Sequence, residues 1–117
     1  MTTDATSLLE RHLTAFAAGD LDAIVGDYTH DAVMITQDGT FRGPEEIRGF
    51  FGGLLEGPFA PGTYDLTMDS VTAAGTALHI VWHASCASAD VLMATDTFVL
   101  RGGRIATQTY AALFGPK

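Results

Sequence analysis

Apolar positions near the start of the chain recur at three-and-four spacing. Leu8, Leu9, His12, Leu13 and Phe16 share one helical stripe, Thr6 or Ser7 stands where a cap belongs, and Gly19 closes the segment. Asp20 opens a second, shorter helix whose buried side carries Leu21, Ile24, Val25 and Tyr28. The period then changes. DAVMIT (31–36) reads as a strand, QDGT (37–40) as a turn with Asp38-Gly39 as its hairpin signal, and TFRG (40–43) as further extended chain. GPEEIRGFFGGLLEG (43–57) is a third helix: Pro44 suits the first helical position, and Glu45 and Glu46 favour its positive end. Gly52 and Gly53 weaken its second half, and GPFAPG (57–62) is a loop. Consecutive strands follow over 63–75, 76–87, 89–100 and 104–114, with Gly75 and the RGG at 101–103 marking tight turns. Helices followed by long strands predict an α+β fold, the helices covering one face of a curved antiparallel sheet. The whole chain, 1–117, is expected to form a single domain.

One position breaks the pattern. On the strand VLMATDTFVL, a period of two aligns Leu92, Ala94, Asp96, Phe98 and Leu100 on one face. Four are apolar and the middle one is a carboxylate. Burying it unpaired would cost several kcal/mol or force protonation, so Asp96 is either satisfied inside the core or faces a pocket.

Composition narrows the function. An apolar fraction of 47% with 17% charged residues is that of a folded protein, and a formal charge of −8 argues against nucleic acid and anionic membranes. The only cysteine, Cys86, precludes an internal disulfide and reads as a small buried residue. The opening MTTDATSLLERHL lacks a basic n-region, and no apolar run is long enough for a membrane helix, so a soluble cytoplasmic protein is the expectation. His79 and His83, four apart on a strand, lie about 13 Å from each other, too far to share an ion. No metal and no organic cofactor is expected. Each of these histidines faces either a pocket or an outer surface, with Trp82 on the opposite face as core or pocket wall.

The strings RHLTAFAAGDLDAIVGDYTHDAVM, FRGPEEIRGFF and DTFVLRGGRIATQTYAALF, in this order, resemble the SnoaL-like and ketosteroid-isomerase-like branch of the nuclear transport factor 2 superfamily. The resemblance implies a cone in which a bent antiparallel sheet wraps N-terminal helices around a deep apolar pocket, with dimers formed through the outer face of the sheet. It places Asp96 at the strand aspartic acid of the isomerase, His12 at the tyrosine of its oxyanion hole, and Thr36 at its proton-moving aspartate. A threonine hydroxyl cannot act as a carboxylate base near neutral pH, so a standard ketosteroid isomerase is not expected. In SnoaL-type cyclases the aspartate of the penultimate strand serves as acid and base, again matching Asp96. Tyr28 matches a tyrosine that lines the isomerase pocket, and its alternative is a core aromatic with a bonded hydroxyl.

Two functions stay open. One is a cofactor-independent isomerase, cyclase or hydrolase with Asp96 and His12 as catalytic residues and Tyr28, Thr36, Trp82 and Phe98 lining the site of a small apolar substrate. The other is a non-catalytic binder of an apolar ligand. A cavity of a few hundred Å3 with His12 and Asp96 converging on it would support either. The outer-face row of Met93, Thr95, Thr97 and Val99, with Thr107 and Thr109, predicts a homodimer.

Overall fold

The computed structural model describes residues 5–117. Its elements are α1 (Ala5–Ala18), α2 (Leu21–Gly26), β1 (Tyr28–Thr36), β2 (Gly39–Arg42), α3 (Gly43–Glu56), β3 (Asp65–Ala74), β4 (Ala77–Ser85), β5 (Ala89–Arg101) and β6 (Arg104–Pro116). The α+β class and the N-terminal helices are as expected. Thr6 and Ser7 lie inside α1, past its first described residue. Asp20 does cap α2, its carboxylate accepting Ala23 N–H at 3.2 Å. In α3, Pro44 occupies the first turn and Glu46 reaches back to accept the Arg42 amide at 2.8 Å, and the helix runs through both glycines.

The strands form one curved, unclosed sheet in the order β2-β1-β6-β5-β4-β3. Every neighbouring pair is antiparallel except β1 and β6, which run parallel. Parallel neighbours need a long crossover, and here everything from β2 to β5 supplies it. That pairing corrects the purely antiparallel sheet read from the strand runs. It also corrects Tyr28, which opens β1 instead of ending a helix: Tyr28 pairs with Ile105 of β6.

Register shifts between Trp82 and Ala84 and between Val91 and Met93 bend the long strands. The second exchanges faces. Val91 is 1% exposed and Leu92 is 56% exposed, so the inward row runs Val91, Ala94, Asp96, Phe98, and Leu92 does not belong to it. Against this inner face pack α1, which meets β4, and α3, which meets β1 and β2. Leu8, Leu9, Ile24, Met34, Ile47 and Phe51 join Leu78, Ile80, Phe98 and Ile105 in one buried cluster. No helix among the described residues is long and apolar enough to cross a membrane.

Candidate functional site

Between α1, α3 and the inner face of β3–β6 lies a cavity of about 60 Å3. Its walls are mostly apolar, with Phe16, Phe50, Phe51, Phe59 and Phe98 prominent, and its polar groups come from His12, Trp82, Asp96, Gln108 and Tyr110. The cavity is smaller than the few hundred Å3 expected from the sequence. It shares Leu13, Phe16 and Leu66 with a neighbouring groove of about 330 Å3 that also touches Tyr64 and Asp65.

The sequence reading brings His12, Trp82, Asp96 and Phe98 to this cavity, and the structure puts all four in its wall. Tyr28 stands just behind it, buried, with its hydroxyl 3.5 Å from His12 Nε2. Thr36 is elsewhere. Its hydroxyl donates to Gly39 O at 3.0 Å and accepts the Asp38 and Gly39 amides at 3.1 Å, so it closes the β1–β2 turn instead of lining the site. His79 and His83 are exposed on the opposite face, and His83 Nδ1 lies 2.7 Å from Asp69. Among the described residues no three His, Cys, Asp or Glu side chains converge as a metal would require.

Asp96 is 6% exposed and fully hydrogen-bonded. One carboxyl oxygen accepts Trp82 Nε1–H at 2.8 Å, and the other accepts Gln108 Nε2–H at 2.8 Å. Burial pushes its pKa above the ordinary carboxylate value, outweighing those donors and the attraction of His12 and His79. Gln108 is itself oriented, because its Oε1 accepts the Tyr28 hydroxyl at 2.5 Å. A chain therefore runs from Tyr28 through Gln108 to Asp96. His12 and Asp96 are not hydrogen-bonded to each other; His12 instead meets Asp27, with Nδ1 2.9 Å from the carboxylate. Burial works against the Asp27 charge, but the bonds from His12 and Arg11 prevail and lower its pKa.

Asp27, Gln108 and Tyr110 were not singled out from the sequence. Tyr110 lies directly across from Asp96 in the β5–β6 ladder and stacks on Trp82 with ring centroids 6.3 Å apart. Period-two reading of β6 from Arg104 would have put Gln108 and Tyr110 on one face. The β1–β6 pairing, which brings Tyr28 to Gln108, carries no such local signal.

A curved, unclosed sheet packed against helices over a mostly apolar cavity, with a few converging polar groups, defines the nuclear transport factor 2-like class of fold. Within that class the chain belongs to the SnoaL-like domain family, whose model matches residues 9–108. The resemblance read from the sequence strings is thereby borne out. Similar solved structures include SalBIII, an epoxide hydrolase/cyclase-like enzyme of pyran ring formation in the polyether salinomycin (17% identity, 96% of this chain, 95% of that one, TM-score 0.78). Another is a Sinorhizobium meliloti protein provisionally assigned as a polyketide cyclase (19% identity, 88% and 92%, TM-score 0.76). A third is an NTF2-like protein of unknown function from Cytophaga hutchinsonii (11% identity, 97% and 93%, TM-score 0.77). At these identities the likeness establishes fold alone. No curated protein matches the sequence.

Proposed function

We propose that this chain is a cofactor-independent acid–base enzyme that isomerises, cyclises or hydrolyses a small, largely apolar molecule bearing a carbonyl, enol or epoxide oxygen. The observation that carries the reading is the meeting of two proton-handling side chains, His12 and Asp96, on one mostly apolar cavity. Burial favours the protonated form of Asp96, which suits it to donate. A protonated carboxyl keeps an acceptor lone pair for each of Trp82 and Gln108 while its O–H turns to the ligand. His12 takes the opposite role.

In an isomerisation, His12 Nε2 removes a proton from the carbon beside a carbonyl while Asp96 protonates the oxygen, giving a neutral enol. His12 then returns its proton to a different carbon and the enol proton goes back to Asp96, restoring both groups. In ring closure or epoxide opening, His12 takes the proton of the attacking hydroxyl or water and Asp96 protonates the departing oxygen. The cyclase descriptions of two similar structures support this chemistry only by analogy of fold.

The test is solvent-deuterium incorporation beside the carbonyl of cyclopentanone, followed by proton NMR. Wild type is expected to exceed the buffer rate, and His12→Gln to fall to it. Binding of the ketone in the cavity without exchange by wild type favours the second reading, a non-catalytic binder. The hydrogen bonds that occupy both Asp96 oxygens are the observation on that side.

A further inference from the structure

We infer that Asp27 is a positioning residue for His12, holding its neutral ring in the Nδ1–H tautomer so that Nε2 is left unprotonated and able to accept a proton. The purpose of this arrangement rests on the acid–base reading above; its test does not.

Asp27 follows α2 and is 4% exposed. Its main chain is tied on both sides: the amide donates back into α2, and the carbonyl accepts Ile105 N–H of β6 at 2.8 Å. Its carboxylate is divided between two partners. Oδ1 receives Arg11 Nε–H at 2.8 Å, and Oδ2 lies 2.9 Å from His12 Nδ1. A guanidinium does not give up its proton, so it keeps Asp27 ionised, and an ionised carboxylate can only accept. The proton in the Asp27–His12 contact therefore belongs to Nδ1.

In the neutral ring Nε2 is then the acceptor nitrogen. The Tyr28 oxygen lies 3.5 Å from it, but Tyr28 gives its proton to Gln108 at 2.5 Å and leaves the Nε2 lone pair uncommitted. Tyr28, Phe51 and Phe98 pack edge-on to the imidazole with centroids 5.6, 5.9 and 6.0 Å away, which fixes the ring plane. When Nε2 accepts a proton, the resulting imidazolium already has a carboxylate against its other nitrogen. Asp96 meets none of these conditions for a base, since N–H donors hold both its oxygens. Two buried aspartates thus divide the work: Asp27 stays charged to orient, and Asp96 is driven toward its protonated form.

A free histidine side chain prefers the Nε2–H tautomer, so the expected state is one that the protein must impose. Long-range proton–nitrogen NMR of 15N-labelled protein, at a pH where the ring is neutral, reads it directly. In wild type, Nδ1 of His12 is expected in the pyrrole-type region and Nε2 in the pyridine-type region. In folded Asp27→Leu the two resonances should exchange regions. A wild-type ring with Nε2 protonated, or an unchanged pattern in folded Asp27→Leu, overturns the inference. If the variant does not fold, the wild-type spectrum decides alone. The expected tautomer in a protein that exchanges no ketone deuterium would support the role of Asp27 and count against the enzyme reading, so the two failures are separable.

Discussion

In Asp96→Asn the oxygen that accepts Trp82 Nε1–H at 2.8 Å is kept, but the one that accepts Gln108 Nε2–H at 2.8 Å becomes an NH2 group facing a donor. The conflict has a way out, because Gln108 can turn its carboxamide over. Its Oε1 then accepts from the introduced NH2 group and its Nε2 donates to the Tyr28 oxygen. Tyr28, no longer donating to Gln108, turns its proton to His12 Nε2, now 3.5 Å away. The chain runs backwards with every buried group satisfied. A buried titrating carboxyl also disappears, so stability should change by no more than about 1 kcal/mol. Asp96→Leu offers no such route. It strands the buried donor of Trp82 and one polar end of Gln108, at about 1–3 kcal/mol each, for a loss of about 3 kcal/mol or more. Near the length of this chain that lowers the melting temperature by roughly 12 °C. Guanidinium unfolding followed by fluorescence of Trp82, the single tryptophan, measures both variants. In Asp96→Asn the His12 Nε2 resonance should also shift as it accepts the Tyr28 proton, so this variant disables base and acid together. If Asp96→Asn cost as much as Asp96→Leu, the reversible chain would be refuted.

Four shorter predictions follow from the same structure. The Asp96 pKa lies above the ordinary 3.8, so between 3.8 and that raised value the folded chain holds more protons than the unfolded one. Its contribution to stability is therefore present below 3.8 and lost as pH rises through the raised value. The wild-type-minus-Asp96→Asn difference should slope downward across that window, and an upward slope would contradict it. Asp27 has the opposite sign: its contribution is full above 3.8 and lost as pH falls toward its lowered value, so Asp27→Leu should flatten the acid side of the profile. On the outer face of the sheet Met93 is 52% and Leu113 61% exposed, beside a shallow depression bordered by Thr95 and Ala111. Light scattering at micromolar concentration is expected to give a homodimer mass, halved by Leu113→Glu; a monomeric wild type would rule out this face as a dimer interface. Gly102 and Gly103 have φ of 60° and 78° in the β5–β6 turn, so replacing both with alanine should cost about 2 kcal/mol in the same unfolding assay, and no change would show the turn tolerates a Cβ.

Local periodicity by itself determined which segments are helices and strands, because an amphipathic stripe needs only neighbours three, four or two residues away. It placed Ala94, Asp96 and Phe98 on one inward face, His12 on the stripe of α1 that meets them, and the paired glycines in their turn. The quoted strings were also enough to recognise the SnoaL-like family. Everything depending on pairs distant in sequence came from tertiary structure. The bulge between Val91 and Met93 turned Leu92 outward, since one extra residue inverts a period-two row and leaves no mark in composition. The parallel alignment of β1 with β6 made Tyr28 a strand residue and carried its hydroxyl to Gln108, 80 positions away. Asp27 looked like one more acid near a helix end until α1 and α2 packed together and set it against His12, 15 residues earlier. Asp96 answers to Trp82 and Gln108, 14 and 12 residues away on the neighbouring strands. Side-chain chemistry is written in the sequence, but which donor meets which acceptor is decided where strands and helices that are far apart in the chain close over one cavity.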